Sequence, residues 1–465
     1  MYQELFAKLQ AAGQSNVLRF WNELNEMEKK SFADELNQLD LDELISLIQS
    51  HVLNRPRTDI PADLSPASFF PMKPGTPEQA HLYALATAKG EELLRAGKVS
   101  VLTVAGGQGT RLGFDGPKGT YPIGPITDRS LFAYFAEGIL RAGEKYGTTL
   151  TWYIMTSLLN HEDTCNFFKA HNYFGLNPNQ IFFFVQGTMP AIGYDGKLLL
   201  AAKGKLALSP NGHGGTLLAL RTSGALDRMK SEGVELLSYF QVDNPLVPVV
   251  NPLFLGLHAI EQSQVSAIML AKTGPFEKLG NFCVSNGRVM IIEYSDLPEE
   301  LATRRLEDGS LAFVAGSPAI HVFSCDFIES LTRHGRLTLP WHRADKKVPY
   351  LDEDGNFVTP EEPNAVKLES FIFDAMPLAE RTMILEADRK EQFAPTKNKT
   401  GVDSAESCRE MLSARNIRRL RDAGVSVADS VRLEISPRLI LDDEDAVAYV
   451  RETGLASIDQ DTVLE

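Results

Sequence analysis

The residues best placed to do chemistry are a run of glycines with two cations behind it. Ala105-Gly106-Gly107-Gln108-Gly109-Thr110-Arg111-Leu112-Gly113 follows the apolar segment Val99–Val104. Glycines there let a backbone approach a ligand and point amide hydrogens at it, which suits phosphate or nucleotide. A dinucleotide fingerprint would need glycine at Leu112, and a P-loop would need Gly-Lys-Ser/Thr closing the turn; the chain has neither. Instead Arg111, and Lys118 after Gly116-Pro117, set two permanent charges past the glycines. Such a pair suits a triphosphate whose charge must be held while one phosphoryl bond breaks. A second signal is Tyr239-Phe240-Gln241-Val242-Asp243-Asn244, an apolar strand ending in a carboxylate and an amide. Magnesium takes one or two carboxylates plus substrate phosphates, so Asp243 alone is sufficient protein ligation for Mg²⁺; it equally reads as the cap of a turn.

These motifs need strands to deliver them, and the flanking sequence alternates accordingly. Apolar segments at Val99–Val104, Leu150–Thr156, Ile181–Gln186 and Leu236–Val242 alternate with amphipathic stretches at Ser130–Tyr146, Asn160–His171 and Gly215–Ser231. That order predicts an α/β class with right-handed βαβ units and a mainly parallel sheet covered on both faces. Both motifs then fall at the carboxyl ends of strands, where open α/β sheets hold ligands. Farther on, Phe282–Ser285 and Arg288–Tyr294 flank Asn286-Gly287, a pair suited to a type I′ hairpin, so an antiparallel insertion is expected. Upstream, Val17, Phe20, Trp21 and Leu24, then Leu41, Leu44, Ile45 and Ile48, recur at helical spacing, with Asp40 placed to cap. Prolines 56, 61, 66, 71, 74 and 77 predict an extended connection, and Pro77–Ala96 a helix ended by Gly97. After Gly401 the composition turns polar, with a helix near Ala405–Ala423 and a strand near Ser430–Ser436.

Composition narrows the function classes. The 465 residues are 43% hydrophobic and 23% charged, in the range of globular proteins. With 46 basic and 61 acidic residues the net charge is −15, and no basic patch stands out to bind nucleic acid or an anionic membrane. The N-terminus lacks the sections of a signal peptide and no apolar run reaches about 18 residues, so a cytoplasmic protein is expected. Cys165, Cys283, Cys325 and Cys408 form no CxxC pair and read as core thiols, and the nine histidines are dispersed, without HExxH.

The glycine turn with Pro117-Lys118-Gly119 resembles the signature of the eukaryotic-type UTP:sugar-1-phosphate uridylyltransferases, and among them the UDP-N-acetylglucosamine pyrophosphorylases. Trp152–Ser157, His171–Leu176, Gln186–Ala191, Gly214-Gly215, Val242–Asn244, Glu293–Ser295 and Phe371–Asp374 fall in the same order, and the likeness spans roughly Tyr83 to Lys399. The resemblance implies a Rossmann-like, GT-A-like nucleotidyltransferase fold, with a mixed sheet flanked by helices. With the helical periodicity, the proline run and the polar composition after Gly401, the chain is expected to divide into a helical region and connection over 1–96, a domain over 97–395 that the resemblance makes catalytic, and a small C-terminal domain over 396–465. The substrates implied are UTP and a sugar 1-phosphate, most simply N-acetylglucosamine 1-phosphate. Gly106, Gly107, Gly109, Thr110, Gln186, Met189, Pro190, Gly214 and Gly215 would then bind the nucleotide. Asn244, Gly280, Glu293, Ser317, Phe371 and Phe373 would face the sugar, Asp243 would carry Mg²⁺, and Arg111, Lys118 and Lys397 would serve catalysis. His321 matches a histidine of the family and reads equally as structural. Two positions depart from the pattern: Ser317 stands where the acetamido-sugar enzymes usually have the asparagine that contacts the N-acetyl side, and His213 stands where asparagine is common. Glucose, galactose or a range of sugars therefore stay open as substrates, as does a binding protein that kept the fold without catalysis.

Overall fold

The computed structural model describes residues 2–55, 60–337 and 339–465. Its contacts fall into two units: Met1–Asp59, Gln186–Gly215 and Thr338–Ile372 form one, and Ile60–Val185, Thr216–Leu337 and Phe373–Glu465 the other.

In the first unit the helices Tyr2–Ala11, Glu26–Asn37 and Leu41–Leu47 bury Leu5, Leu9, Trp21 and Phe32 with Ile192, Leu200, Val366 and Leu368. The N-terminal region is helical as its periodicity predicts. Asn25 closes a capping box at the start of Glu26–Asn37, and the Asp40 carboxylate accepts a hydrogen bond from the Glu43 amide at 3.1 Å. The strands His342–Lys346, Ala365–Glu369 and Ile192–Gly193 make a small antiparallel sheet in that order.

The second unit is built on an 11-stranded sheet. Its strands are β1 (Ser65–Pro66), β2 (Val99–Val104), β3 (Trp152–Thr156), β4 (Ile181–Val185), β5 (Leu236–Gln241) and β6 (Val265–Ala271). They continue with β7 (Gly280–Ser285), β8 (Arg288–Ile292), β9 (Ala315–Ser317), β10 (His321–Ser324) and β11 (Thr382–Glu386). The order is β1-β7-β9-β6-β10-β5-β2-β3-β4, with β8 beside β7 and β11 beside β6. The half β5-β2-β3-β4 is parallel, as the alternation predicts. Beyond it β10 runs antiparallel to both β5 and β6, so the sheet is mixed rather than mainly parallel. The hairpin β7-β8 turns at Asn286 and Gly287 with φ of 48° and 71°, the left-handed pair a type I′ turn requires. The single helix expected over 215–231 is two, Thr216–Thr222 and Ala225–Ser231, because Gly224 adopts φ of 80° and ends the first. Pro56, the first proline of the expected connection, lies outside the described residues.

Two devices fix the chain beyond β5. The helix Pro252–Ile260 meets Pro77–Arg95 backbone to backbone through a glycine on each side: a Cβ on Gly256 would sit 1.6 Å from the Ala86 carbonyl oxygen, and one on Gly90 1.9 Å from that of Pro252. The helix Ala405–Asp422 sends the half-buried Arg415 back, its Nη1 donating to the carbonyl oxygens of Leu246 at 2.9 Å and Glu391 at 3.3 Å. Burial pushes that guanidinium down to about 9. Nearby Glu434, fully buried, accepts from the Ile126 and Thr127 amides, the Thr127 and Tyr134 hydroxyls and Arg129. It joins the C-terminal segment to the loop ahead of the helix Leu131–Tyr146. Residues 417–464 also gather a small core of their own around Leu420, Leu433, Ile435 and Ala446.

Because the contact at Gly256 is with backbone, which cannot swing aside, Gly256→Ala should destabilise the fold by about 1–3 kcal/mol or more. Urea unfolding checks this, and a midpoint equal to the unsubstituted protein's would contradict the close approach.

Candidate active site

The glycine turn leaves β2 at Ala105 and is held by its own backbone. The Gly109 amide donates to the Gly116 carbonyl at 2.9 Å, Phe114 to Gly109 at 3.1 Å and Lys118 to Gly107 at 3.0 Å. From the neighbouring strand end, the buried Asn160 side chain donates to the carbonyls of Ala105 and Gly107 at 2.9 and 3.1 Å, while its Oδ1 accepts from Ser157. The glycines differ in what they permit. A Cβ on Gly109 would collide with Phe114 at 2.7 Å, whereas one on Gly107 would meet nothing within 4 Å. Gly109 is thus needed for packing, and Gly107 faces open space. Gly106 and Gly107 lead into the turn Thr110–Leu112, which leaves Thr110 and Arg111 exposed.

Lys118 and Asp243 meet where β2 and β5, parallel neighbours, both end: Nζ lies 3.0 Å from Oδ2. Asp243 is only 8% exposed. Burial by itself would raise its carboxyl pKa, but Lys118 and then Lys397 outweigh that and hold it below the usual carboxylate range. Asn244 uses both ends of its amide on the chain, Nδ2 donating to the Gln392 carbonyl at 2.7 Å and Oδ1 accepting from the Ala394 amide at 2.9 Å. The Thr396 amide donates to the Asp243 carbonyl at 2.8 Å. These bonds lay the segment 392–397 across the end of β5 and bring Lys397 in, its ammonium 5.8 Å from the centre of the Phe393 ring.

Beside them opens a cavity of about 150 Å³ lined by Asp243, Asn244, Gly280, Glu293, Ser317, Phe373 and Lys397, together with Lys278, Phe393 and Pro395. A Cβ on Gly280 would lie 2.5 Å from Ile291 Cγ2 and 3.6 Å from Glu293 Oε1, so glycine there lets β8 and the carboxylate close in. Ser317 Oγ accepts from the Ala319 amide at 3.4 Å in a turn where Ala319 takes φ of 60°. Among the described residues no group of three or more His, Cys, Asp or Glu side chains stands together as a metal site. A divalent ion here would rest on Asp243 and on phosphate oxygens brought by a ligand, which fits Mg²⁺ and does not fit zinc.

The remaining candidates lie in the first unit. Thr188–Pro190 pairs with Leu208–Pro210, Met189 opposite Ser209. The Gln186 side chain donates to the Gly212 carbonyl at 3.1 Å, and the Gly214 amide to that of Ser370 at 2.8 Å. Side chains on Gly214 or Gly215 would strike the Phe371 amide nitrogen at 2.7 Å or Asn211 Oδ1 at 2.3 Å. Gln186, Met189, Pro190, Gly214 and Gly215 thus belong to one tight pair of loops. Phe371 is with them, stacked on His213 at 5.3 Å and on His342 at 4.3 Å, and is not among the residues lining the cavity. His213 Nδ1 accepts from the Ile372 amide at 3.2 Å; burial first, then His342, push its imidazole down to about 4. His321 is buried within the sheet, its ring 5.7 Å from both Tyr239 and Phe323. Cys283, Cys325 and Cys408 are buried as core thiols, and Cys165 is half-buried.

Sequence reasoning missed Asn160 and Lys278. Asn160 reads only as a helix start, which it also is, and nothing local marks its reach to the glycine turn. Lys278 carries the weak signal of standing two residues before Gly280.

A profile of the UTP–glucose-1-phosphate uridylyltransferase family matches residues 70–436. The human UDP-N-acetylhexosamine pyrophosphorylase-like protein 1 is 37% identical over 92% of this chain and 87% of its own. The Arabidopsis thaliana UDP-N-acetylglucosamine diphosphorylase 2 is 33% identical over 94% and 89%. The crystal structure of a uridine diphosphate N-acetylglucosamine pyrophosphorylase from Trypanosoma brucei is 24% identical and shares the fold with a TM-score of 0.80, covering 98% of this chain and 97% of that one.

With its carboxyl held low, Asp243 contributes stability that is present above its unfolded pKa of about 4 and is lost as pH falls through the lower folded value. Lys118→Ala leaves burial opposed only by Lys397 and a backbone hydrogen bond, raising that carboxyl, and breaking a buried pair costs about 3–5 kcal/mol. Urea unfolding followed against pH should therefore show Lys118→Ala losing stability at a higher pH than the unsubstituted protein; superimposable acid limbs would contradict the pairing.

Proposed function

Because the chain belongs to the UTP–glucose-1-phosphate uridylyltransferase family, we propose that it transfers the uridylyl group of UTP to a sugar 1-phosphate, with N-acetylglucosamine 1-phosphate as preferred acceptor. The observation that carries the reading is the cavity beside Asp243, which draws Asn244, Gly280, Glu293, Ser317, Phe373 and Lys397 from distant parts of the chain to one place. The relatives' names, taken with that cavity, support the acetamido sugar.

A phosphate oxygen of the sugar 1-phosphate attacks the α-phosphorus of UTP in line. The new P–O bond forms as the bond to pyrophosphate breaks, giving a UDP-sugar and pyrophosphate. The attacking phosphate is already anionic at neutral pH, so the site needs neither a protein nucleophile nor a base. Its work is to align two anions and to neutralise charge on the transferring and leaving groups. Lys397 holds the sugar phosphate, while Arg111 and Lys118 donate to the pyrophosphate side. Asp243 would hold Mg²⁺, which supplies further neutralisation of the phosphates when bound. Gln186 to Pro190, with Gly214 and Gly215, take the nucleoside, with selectivity arising because a wrong base leaves hydrogen-bonding groups unpaired. Ser317 favours a second reading, a wider range of UDP-sugars, because a short hydroxyl replaces the asparagine of the acetamido-sugar enzymes.

Magnesium-dependent pyrophosphate release from UTP is the test, run against the 1-phosphates of N-acetylglucosamine, N-acetylgalactosamine, glucose, galactose and xylose. The acetamido sugars should lead; even turnover across neutral sugars would establish the second reading, and no turnover with any of them would refute transfer. Lys118→Ala should lose about 100-fold in rate, the usual effect of removing one preorganised charge contact of about 3 kcal/mol. Near-full turnover by that variant would remove Lys118 from the chemistry.

A further inference from the structure

The segment that brings Lys397 to the cavity does not end there. Past Lys397 it folds into a closed turn: the amides of Lys397 and Asn398 donate to the Asp403 carbonyl at 2.7 and 2.9 Å, the Asn398 side chain donates to the Val402 carbonyl at 2.8 Å, and Asp403 takes φ of 57°. The turn is closed by its own hydrogen bonds. Two residues beyond Lys397 stands Lys399. Its side chain runs alongside the last glycine of the glycine turn: a Cβ on Gly113 would stand 3.7 Å from Lys399 Nζ and 3.8 Å from both Cδ and Cε. Gly113 has φ of 71° and directly follows Thr110-Arg111-Leu112, so the Lys399 ammonium lies beside the end of the short turn that carries Arg111.

Both cations are exposed, and among the described residues neither is paired with a carboxylate, whereas Lys118 is held by Asp243. Two exposed cations carried at one turn offer their donors to an anion with several oxygens, which can accept from both. We propose that Lys399 is a further phosphate-binding residue, which with Arg111 holds the pyrophosphate portion of the nucleotide over Gly113. This rests on the uridylyltransferase reading for the identity of the anion and extends it. One segment would then serve both substrates, Lys397 facing the sugar phosphate and Lys399, two residues on, the leaving group.

Calorimetric titration of the full chain with inorganic pyrophosphate tests the inference without requiring turnover. Lys399→Ala should weaken pyrophosphate binding about tenfold, the effect of losing one hydrogen bond between charged groups. Lys399→Arg, which keeps the charge, should stay within about threefold of the unsubstituted protein, and raising the salt should narrow the gap between Lys399→Ala and the parent. Lys399 is exposed, so its removal should leave the unfolding midpoint unchanged, which separates lost contact from lost fold. Equal affinity in Lys399→Ala and the parent, or no pyrophosphate binding by the parent, overturns the inference. Failure of the broader reading shows separately, as absence of pyrophosphate release with every sugar 1-phosphate.

Discussion

One carboxylate, buried at the end of a central strand and bonded to a lysine from the loop that follows the neighbouring strand, is the constraint around which this site is arranged. Asp243 and Lys118 meet because β5 and β2 run parallel in register, Gln241 beside Val104, so that the loops leaving the two strands emerge at the same edge of the sheet. A buried carboxylate left alone would take up a proton rather than keep its charge. Held by Lys118, with Lys397 close by, it keeps that charge. The result is a cluster of cations outnumbering its anion, which matches polyanionic substrates.

The architecture around the pair limits its movement. Asn160 clasps the glycine turn from β3's end, Asn244 and the Asp243 carbonyl fasten the 392–397 segment, and Arg415 and the glycine-to-glycine helix contact secure the chain after β5. These side chains bond to backbone carbonyls and amides, so they fix geometry without competing for a substrate's charge. Electrostatic catalysis depends on charges already in place before the reaction, and a frame of this kind supplies that.

What the sequence reveals depends on the range of the interactions concerned. The glycine turn, the parallel strands β2 to β5 and the Asn286-Gly287 hairpin are local patterns, and each is found where the pattern predicts. The antiparallel half is not legible, because β10 inserts between β5 and β6 by pairing residues far apart in the chain, Leu236 with Ser324 and Ala267 with His321, which no period announces. The break at Gly224 is a single glycine inside an otherwise helical pattern. Phe371 and Phe373 look equivalent in the sequence, yet one stacks between two imidazoles and the other lines the cavity. Asn160 and Lys399 carry no mark of their own, and Lys278 only its place two residues before Gly280, since tertiary contacts define where they stand.

The central claim is that this site works by holding two anions together, with no covalent stage on the protein. Exchange of labelled pyrophosphate into UTP tests it directly, because a uridylylated protein would exchange label without any sugar present. The account predicts no exchange in the presence of magnesium and UTP alone, and rapid exchange once the sugar 1-phosphate is added. Exchange at a comparable rate without the sugar phosphate would contradict it.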